Sequence, residues 1–182
     1  MLVLNSNYDF TNGNRKCQSV IIPKIATTIP MCAFMGCSQL REVIFNDGLK
    51  TIEQRAFKDC RSLTEISLPT TLTKIDIGAF AYCRNLDKVN IPDSVIEIGD
   101  CAFVGCNIKG FAFPKQLKIL GFNIFRGCHL LKRVILPDSI KRIAKSQKLF
   151  ENCDNLKEIE VCADCIIESG CVPENCRVVY RK

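Results

Sequence analysis

The sequence predicts an α/β solenoid of about six repeats of 22–25 residues, whose successive coils stack their strands into a parallel β-sheet. Three residue types recur in phase along the chain, and proline and cysteine keep step with phenylalanine. One repeat cannot bury its apolar face alone, so the coils must stack on each other. The repeated phenylalanines are Phe34, Phe57, Phe80, Phe103, Phe125 and Phe150, followed three residues later by Cys37, Cys60, Cys83, Cys106, Cys128 and Cys153.

The first element of each repeat is a short strand. Leu63, Ile66 and Leu68 end in the alternation of a half-buried strand, and Pro69 ends that strand because proline cannot donate to a continuing ladder. In the one repeat without proline, Asn46 takes its place. The matching apolar sets are Leu40/Val43/Phe45, Leu86/Val89/Ile91, Ile108/Phe111/Phe113, Leu131/Val134/Leu136 and Leu156/Ile159/Val161.

A second short segment and a turn complete each repeat. Leu72 and Ile75 mark the segment, and the Ala-Phe pair that follows predicts a short helical turn with Phe and Cys pointing inward. One repeat is a residue shorter between Cys106 and Pro114, and another is two residues longer between Ile143 and Phe150. We expect loops to absorb both changes.

The chain reads as one domain with irregular ends. Residues 17–161 hold the repeats, and Val20-Ile21-Ile22 begins a first half-repeat. Residues 1–16 are predicted to form an N-terminal cap or a worn repeat. Residues 162–182 are predicted to form a cysteine-rich C-terminal cap closed by a strand at Arg177–Tyr180.

The motif LxxIxLPxxLxxIxxxAFxxC, written out by Leu63 to Cys83, resembles the BspA-like leucine-rich repeats, also called the Treponema pallidum type. The resemblance covers residues 17–161. It implies a curved, right-handed leucine-rich-repeat coil with its strand sheet on the concave side. It also implies a surface-exposed or secreted protein that binds other proteins and has no catalytic activity.

Positive charge is concentrated in one part of the chain. Ten Lys or Arg and a single acid lie between Lys109 and Lys148, whereas seven acids and a single Lys lie between Leu149 and Glu174. Residues of equal phase stack, so the basic residues are predicted to form a surface stripe that meets an acidic protein face or an anionic glycan. A merely solvated face is the alternative. The candidate binding residues are Lys109, Lys118, Lys132, Arg133, Lys141 and Arg142.

Ten of the thirteen cysteines fall into two groups. Those in phase with phenylalanine are predicted to be small buried apolar side chains, poorly posed for disulfides. The tail cysteines Cys162, Cys165, Cys171 and Cys176 have the spacing C-x2-C-x5-C-x4-C. We expect thiol packing or a disulfide there and no cofactor, with a zinc site or a redox-sensitive module as the alternative.

Catalytic chemistry has little support in the sequence. The only histidine is His129, which directly follows Cys128, and adjacent residues rarely form a nucleophile–base pair. We therefore expect no enzyme. The Cys128/His129 pair is the only nucleophile candidate that the sequence offers.

The sequence favours a monomeric, non-enzymatic binding module of the adhesion type, with a purely structural segment of a longer array as another alternative. We expect a protein partner or an anionic glycan, and no nucleic acid, because exposed aromatic residues for base stacking are lacking. No run is long and apolar enough for a membrane span, and no signal peptide is visible. Many unpaired cysteines favour the cytoplasm, whereas the family resemblance implies the cell surface.

Overall fold

A computed structural model describes residues 2–3 and 16–182 and shows a parallel β-solenoid of about seven turns. Each coil contributes one strand to the concave sheet and one two-residue strand to a second sheet. The strands of the concave sheet are β1 (Leu2–Val3), β2 (Ser19–Ile21), β4 (Glu42–Ile44), β6 (Glu65–Ser67), β8 (Lys88–Asn90), β10 (Gly110–Ala112), β12 (Arg133–Ile135), β14 (Glu158–Cys162) and β16 (Arg177–Arg181). The strands of the second sheet are β3 (Thr28–Ile29), β5 (Thr51–Ile52), β7 (Lys74–Ile75), β9 (Glu97–Ile98), β11 (Ile119–Leu120), β13 (Arg142–Ile143) and β15 (Ile166–Ile167).

All strand pairs are parallel, and their register follows the repeat, so that Glu65 pairs with Lys88 and Thr51 with Lys74. The concave strands form three sheets, in the orders β1-β2-β4, β6-β8 and β10-β12-β14-β16. The second sheet runs unbroken from β3 to β11, and β13 pairs separately with β15. The break between β8 and β10 falls at the repeat that is one residue short.

The repeated phenylalanines form the interior column that the sequence predicts. The rings of Phe57 and Phe80 stack at 5.3 Å between centroids, with 2° between their planes, and the rings of Phe80 and Phe103 stack at 5.6 Å with 1°. All three side chains are completely buried. The column widens to 6.2 Å from Phe103 to Phe125, and Phe111 packs against both of these rings. This column confirms that side chains of equal phase lie above one another.

The prediction of a short helical turn at each Ala-Phe pair is wrong. Every coil turns there through two left-handed residues, two positions before and two positions after the phenylalanine, and these interrupt any helix. Around Phe57 they are Arg55 and Asp59, with φ of 57° and 61°. The N–H groups of Arg55, Phe57 and Asp59 donate to the next coil, at Ile77, Ala79 and Ala81. Continuing as a helix would redirect these donors within their own coil, so the turn keeps them for stacking.

Helix is confined, in the described part of the chain, to a single 3₁₀ turn at Lys145–Gln147. That turn lies between Ile143 and Phe150, in the segment that is two residues longer than its counterparts and for which the sequence predicts a loop. Over the same described part, no helix is long and apolar enough to cross a membrane.

The buried cysteines lie in the apolar core, as predicted, and their thiols also make hydrogen bonds there. The Sγ atom of Cys83 donates to the backbone oxygen of Phe57 at 3.1 Å, and Cys106 donates likewise to Phe80 at 3.2 Å. Cys60, Cys128 and Cys153 repeat this contact one coil apart. Burial raises the pKa of the Cys153 thiol to about 12, so it stays protonated and able to donate. The thiol column therefore ties each coil to the preceding one.

Strands lie at both ends of the described repeats. The closing strand extends over Arg177–Arg181 and pairs with β14 along five residues. The first half-repeat contains β2 and β3, and Leu2–Val3 pairs with Val20–Ile21. The remainder of the predicted N-terminal cap, residue 1 and residues 4–15, lies outside the described residues.

Candidate binding surfaces

The concave face presents two columns of outward side chains, because alternate residues of each three-residue strand point away from the core. One column contains Ser19, Glu42, Glu65, Lys88, Gly110, Arg133, Glu158 and Arg177. The other contains Ile21, Ile44, Ser67, Asn90, Ala112, Ile135, Glu160 and Val179. Few aromatic side chains stand among them, as the sequence predicts, and the face suits a broad surface better than a ligand pocket.

The C-terminal part of this face is an ion-pair lattice. Arg133 lies between two acids of β14, with Nε 2.9 Å from Glu158 and Nη2 2.8 Å from Glu160. Arg177 of β16 contacts Glu158 from the other side, and Arg181 contacts both Glu160 and Asp138. The guanidinium of Arg177 lowers the pKa of the Glu158 carboxyl. The charged groups of this half satisfy one another.

The N-terminal part of the concave face is less engaged. Its one ion pair among the described strands β2 to β8 is loose, with 3.6 Å between Lys88 Nζ and Glu65 Oε2. Ile44 is 46% exposed at the last strand of the first sheet, next to the break between β4 and β6. This half therefore has apolar surface and polar side chains free to contact a partner.

The predicted basic residues are mostly paired with acids from the neighbouring coil. Lys109 pairs with Asp87 at 3.1 Å, Lys141 pairs with Asp164 at 2.7 Å, and Arg142 pairs with Glu168. Within residues 16–182, Lys118 and Lys132 make no ion pair. Of the basic residues at equal phase, Lys132 stacks on Lys109, because the Lys132 N–H donates to the Lys109 carbonyl. Lys118 and Lys141 also share a phase, but the strands that follow them, β11 and β13, do not pair with each other.

The four tail cysteines do not gather into one centre. Cys162 and Cys165 are buried beside each other, and burial raises the pKa of Cys165 to about 11. Cys171 donates to the carbonyl of Ile143 at 3.3 Å, and Cys176 lies next to Arg177. No three Cys, His, Asp or Glu side chains of residues 16–182 lie close enough to hold a metal ion. The four tail thiols are free.

Cys128 and His129 do not form a nucleophile–base pair. Cys128 is completely buried, its thiol donates to the Phe103 carbonyl, and burial raises its pKa to about 12. His129 faces outward, with Nδ1 3.1 Å from a carboxylate oxygen of Asp154. The two adjacent side chains thus point into different surroundings.

The sequence analysis missed an outer cleft of about 550 Å³ on the face that carries the phenylalanine turns. It lies beside the repeat that is one residue short. The signal for it is present in the sequence as that shortened spacing after Cys106, together with glycine at both Gly105 and Gly127.

Comparison with known proteins gives a consistent result. The sequence profile of the BspA type leucine rich repeat region matches six copies over residues 6–132 and 73–178. Among solved structures, a leucine-rich-repeat protein of Treponema pallidum is 28% identical with a TM-score of 0.52, over 82% of this chain and 60% of its own. The pneumococcal vaccine antigen PcpA is 26% identical with a TM-score of 0.61, over 84% of this chain and 47% of its own.

A leucine rich cell surface protein of Faecalibacterium prausnitzii shares the fold at 22% identity and a TM-score of 0.51, over 90% of this chain and 60% of its own. This chain thus spans less than two thirds of the length of these proteins. Among curated proteins, none matches the chain.

Proposed function

We propose, from the premise that this chain belongs to the BspA-type leucine-rich-repeat family, that it is a non-enzymatic module that binds a protein partner on its concave face. The observation that carries the proposal is the division of this face into a self-paired C-terminal half and a free N-terminal half. The partner surface is centred on Ile44 and its neighbours Ile21, Glu42 and Ser67. An exposed isoleucine beside Ile21, with Glu42 and Ser67 next to it, offers apolar contact with a polar rim.

Rigid display supports this role. The backbone behind Ile44 is held by strand pairing with β2, and the core beneath it is closed by Leu40 and Leu49, both completely buried. A surface fixed in this way loses little conformational freedom when a partner docks, so less of the contact energy is spent on ordering. The repeat fold thus supplies a preorganised face.

The predicted basic residues contribute less to partner binding in this proposal than their number indicates, because most of them are paired with acids. An anionic partner would have to compete with Asp87 for Lys109 and with two glutamates for Arg133. Surface pairs of this kind are worth little individually, but they reduce the field that a distant anion feels. Of the six predicted basic residues, Lys118 and Lys132 remain available for a direct contact, but they lie several coils from Ile44 and outside the protein-binding surface.

The absence of catalysis and the compartment follow from the thiols in this proposal. A protonated, buried Cys128 cannot serve as a nucleophile, and His129 has a carboxylate neighbour instead of a thiol. The twelve cysteines other than Cys37 are free thiols, and many of them donate to backbone carbonyls, which favours a reducing compartment. We propose adhesion to a protein in that setting over a secreted, disulfide-bonded role.

Affinity capture with matched variants tests the proposal. Ile44→Arg places a charge at the centre of the surface, whereas Met31→Arg places the same charge at a 61% exposed residue on another face. We expect a protein from the source organism to be retained by the wild type and by Met31→Arg, and to be lost from Ile44→Arg. Its purified form should then bind with a dissociation constant at least about tenfold weaker to Ile44→Arg, which corresponds to about 1.4 kcal/mol.

Thermal melts of both variants provide the control for folding. Retention of the same protein by Ile44→Arg and the wild type would remove Ile44 from the surface. If the wild type retains no protein beyond the bare support, the binding role itself is wrong.

A further inference from the structure

The outer cleft is built by four consecutive coils. Its walls contain Tyr82 and Arg84 from one coil, Asn107 from the next, Arg126 and His129 from the third, and Asn152 from the fourth. These residues follow the buried phenylalanines by one to four positions. The cleft therefore lies on the face of the turns and not on the concave sheet.

The shortened repeat opens this cleft. Two residues separate Cys83 from Leu86 and Cys128 from Leu131, and in each case the leucine N–H closes the turn by donating to the cysteine carbonyl. Between Cys106 and Ile108 only Asn107 remains. In this part of the described chain the corresponding hydrogen bond, from the Ile108 N–H to the Cys106 carbonyl, is missing. This turn therefore has one exposed residue fewer than the two turns that flank it, and the surface between them is recessed.

Two glycines form the floor. A Cβ at residue 105 would lie 2.7 Å from Cδ1 of Tyr82, so packing requires glycine there. Gly127 has no atom within 4 Å of its Cβ position, although it shares the left-handed conformation, with φ of 71°. Tyr82 and Asn152 carry side chains at the same left-handed position of their own coils. The fold therefore tolerates a side chain at this position, and its absence at residue 127 leaves the cleft open.

The walls offer hydrogen-bond donors and acceptors together. Arg84 makes no ion pair within residues 16–182, so its guanidinium is available for a bidentate contact. Arg126 is held by Glu151 at 2.7 Å and His129 by Asp154 at 3.1 Å, so these two side chains already have carboxylate partners, and both carboxylates lie outside the lining. The amides of Asn107 and Asn152 can both donate and accept.

Peptide binding is disfavoured by the backbone of the cleft. The N–H groups of Gly105 and Gly127 already donate to the carbonyls of Arg126 and Glu151 in the next coil. An extended peptide would thus find no free edge to pair with. Among the lining side chains, Val104 is only 8% exposed, so apolar contact is confined to the ring of Tyr82, which is 40% exposed.

We propose that this cleft binds a sugar that carries a carboxylate, such as a uronic acid, with the carboxylate on Arg84 and the hydroxyls on the amides of Asn107 and Asn152. Its volume fits a short oligosaccharide, since ligand sites span about 300–1,000 Å³. The site is independent of the concave protein surface, because the two share no residue.

Isothermal titration with trigalacturonate tests the site. The wild type should bind this sugar, bind a neutral galactose trisaccharide at least about tenfold more weakly, and bind a triglutamate peptide more weakly than the sugar. Arg84→Ala should weaken sugar binding about tenfold to hundredfold, as expected for a lost charged hydrogen bond. Arg61→Ala is the matched control, since Arg61 holds the same position one coil earlier, where it pairs with Asp59.

A second pair of variants tests the cleft without removing a charge. Gly127→Asn fills the floor, and Gly36→Asn makes the same change at an equivalent left-handed glycine outside the cleft, also with nothing within 4 Å. Only Gly127→Asn should abolish sugar binding. Ile44→Arg should leave it unchanged, which separates this site from the proposed protein surface.

Three results would overturn the proposal. The first is equal binding of the charged and neutral sugars, and the second is binding of triglutamate more tightly than the sugar. The third is unchanged sugar binding in both Arg84→Ala and Gly127→Asn.

Discussion

The middle of the solenoid and its C-terminal end both contain thiol–carbonyl bonds and inter-coil ion pairs such as Lys74–Glu97, but they differ in ring stacking and in the ion pairing of their concave strands. From Phe34 to Phe103 each coil joins the next through stacked rings 5.1–5.6 Å apart, a thiol–carbonyl bond and backbone hydrogen bonds. From β12 onward the rings are farther apart, and ion pairs such as Arg133–Glu158 and Lys141–Asp164 span the coils. Neutral buried contacts vary little with pH or salt, whereas exposed ion pairs depend on both.

This difference between the two regions shows how the contacts between coils change when the repeat length changes. The middle repeats keep one length, so their side chains can pack on identical partners above and below. The later repeats have 22 and 25 residues, and their rings no longer stack as closely. Charged side chains are long and adaptable, so they can join coils whose register is less regular.

The largest expected effect is on the middle column. Phe80→Ala removes a completely buried ring that stacks on both sides, and it should lower the free energy of unfolding by about 3–5 kcal/mol. Phe150→Ala should cost less, because its ring stacks on Phe125 alone among the described rings. Urea unfolding of both variants measures the comparison. An equal or larger loss for Phe150→Ala would break the distinction between middle and end.

The buried side-chain amide of Asn46 joins its coil to the preceding coil through hydrogen bonds, in the regular part of the solenoid. Asn46 is 7% exposed, and its Nδ2 donates to the carbonyls of Pro23 and Ala26 at 2.8 and 3.0 Å, while its Oδ1 accepts from Gly48 at 2.6 Å. Asn46→Ala should therefore cost about 1–3 kcal/mol, since it leaves buried groups unpaired. Asn90→Ala, at an exposed concave position, should change stability by less than about 0.5 kcal/mol. Chemical unfolding of the two variants decides, and similar small costs would show that Asn46 is not a structural junction.

Acid should loosen the C-terminal end before the middle. Arg177 lowers the pKa of Glu158, Lys141 lowers that of Asp164, and the Lys145 N–H lowers that of Glu168. A carboxyl group whose pKa is lowered by folding stabilises the fold above its usual pKa, and this contribution is lost as pH falls through the folded value. Between pH 7 and pH 3, amide exchange corrected for intrinsic rates should rise in β14 and β16 while β5 and β7 stay protected.

Added salt at pH 7 should act in the same direction by screening those pairs, with a smaller effect. Loss of protection in β5 and β7 first, or at the same pH, would contradict the electrostatic account of the end.

The sequence predicts most of the fold because the repeat is visible in single residue types. Phe57, Phe80 and Phe103 recur at one spacing, and their stacking follows from that spacing. The turns were mispredicted because their left-handed residues include Arg55, Tyr82 and Lys148, which are not typical of that conformation. The thiol–carbonyl bonds depend on where the backbone oxygens point, which no residue pattern records.

The candidate surfaces were predicted less well. The concentration of positive charge is visible in the sequence, but pairing across coils depends on register, and Glu158 lies 25 positions beyond the Arg133 that it neutralises. Comparing each basic residue with acids 22–27 positions away would have found these pairs. The cleft is formed by side chains from four coils, and the one indication of it in the sequence is the shortened spacing after Cys106.

The most direct measurement of coil-on-coil stacking is the coupling energy between two phenylalanines. Phe57→Leu and Phe80→Leu change adjacent rings 5.3 Å apart, whereas Phe57→Leu and Phe125→Leu change rings separated by two coils. A double-mutant cycle from urea unfolding should give a coupling of about 0.5–1.5 kcal/mol for the adjacent pair. The separated pair should be additive within about 0.3–0.5 kcal/mol. Equal coupling in both pairs, or none in the adjacent pair, would contradict the stacked column on which the account depends.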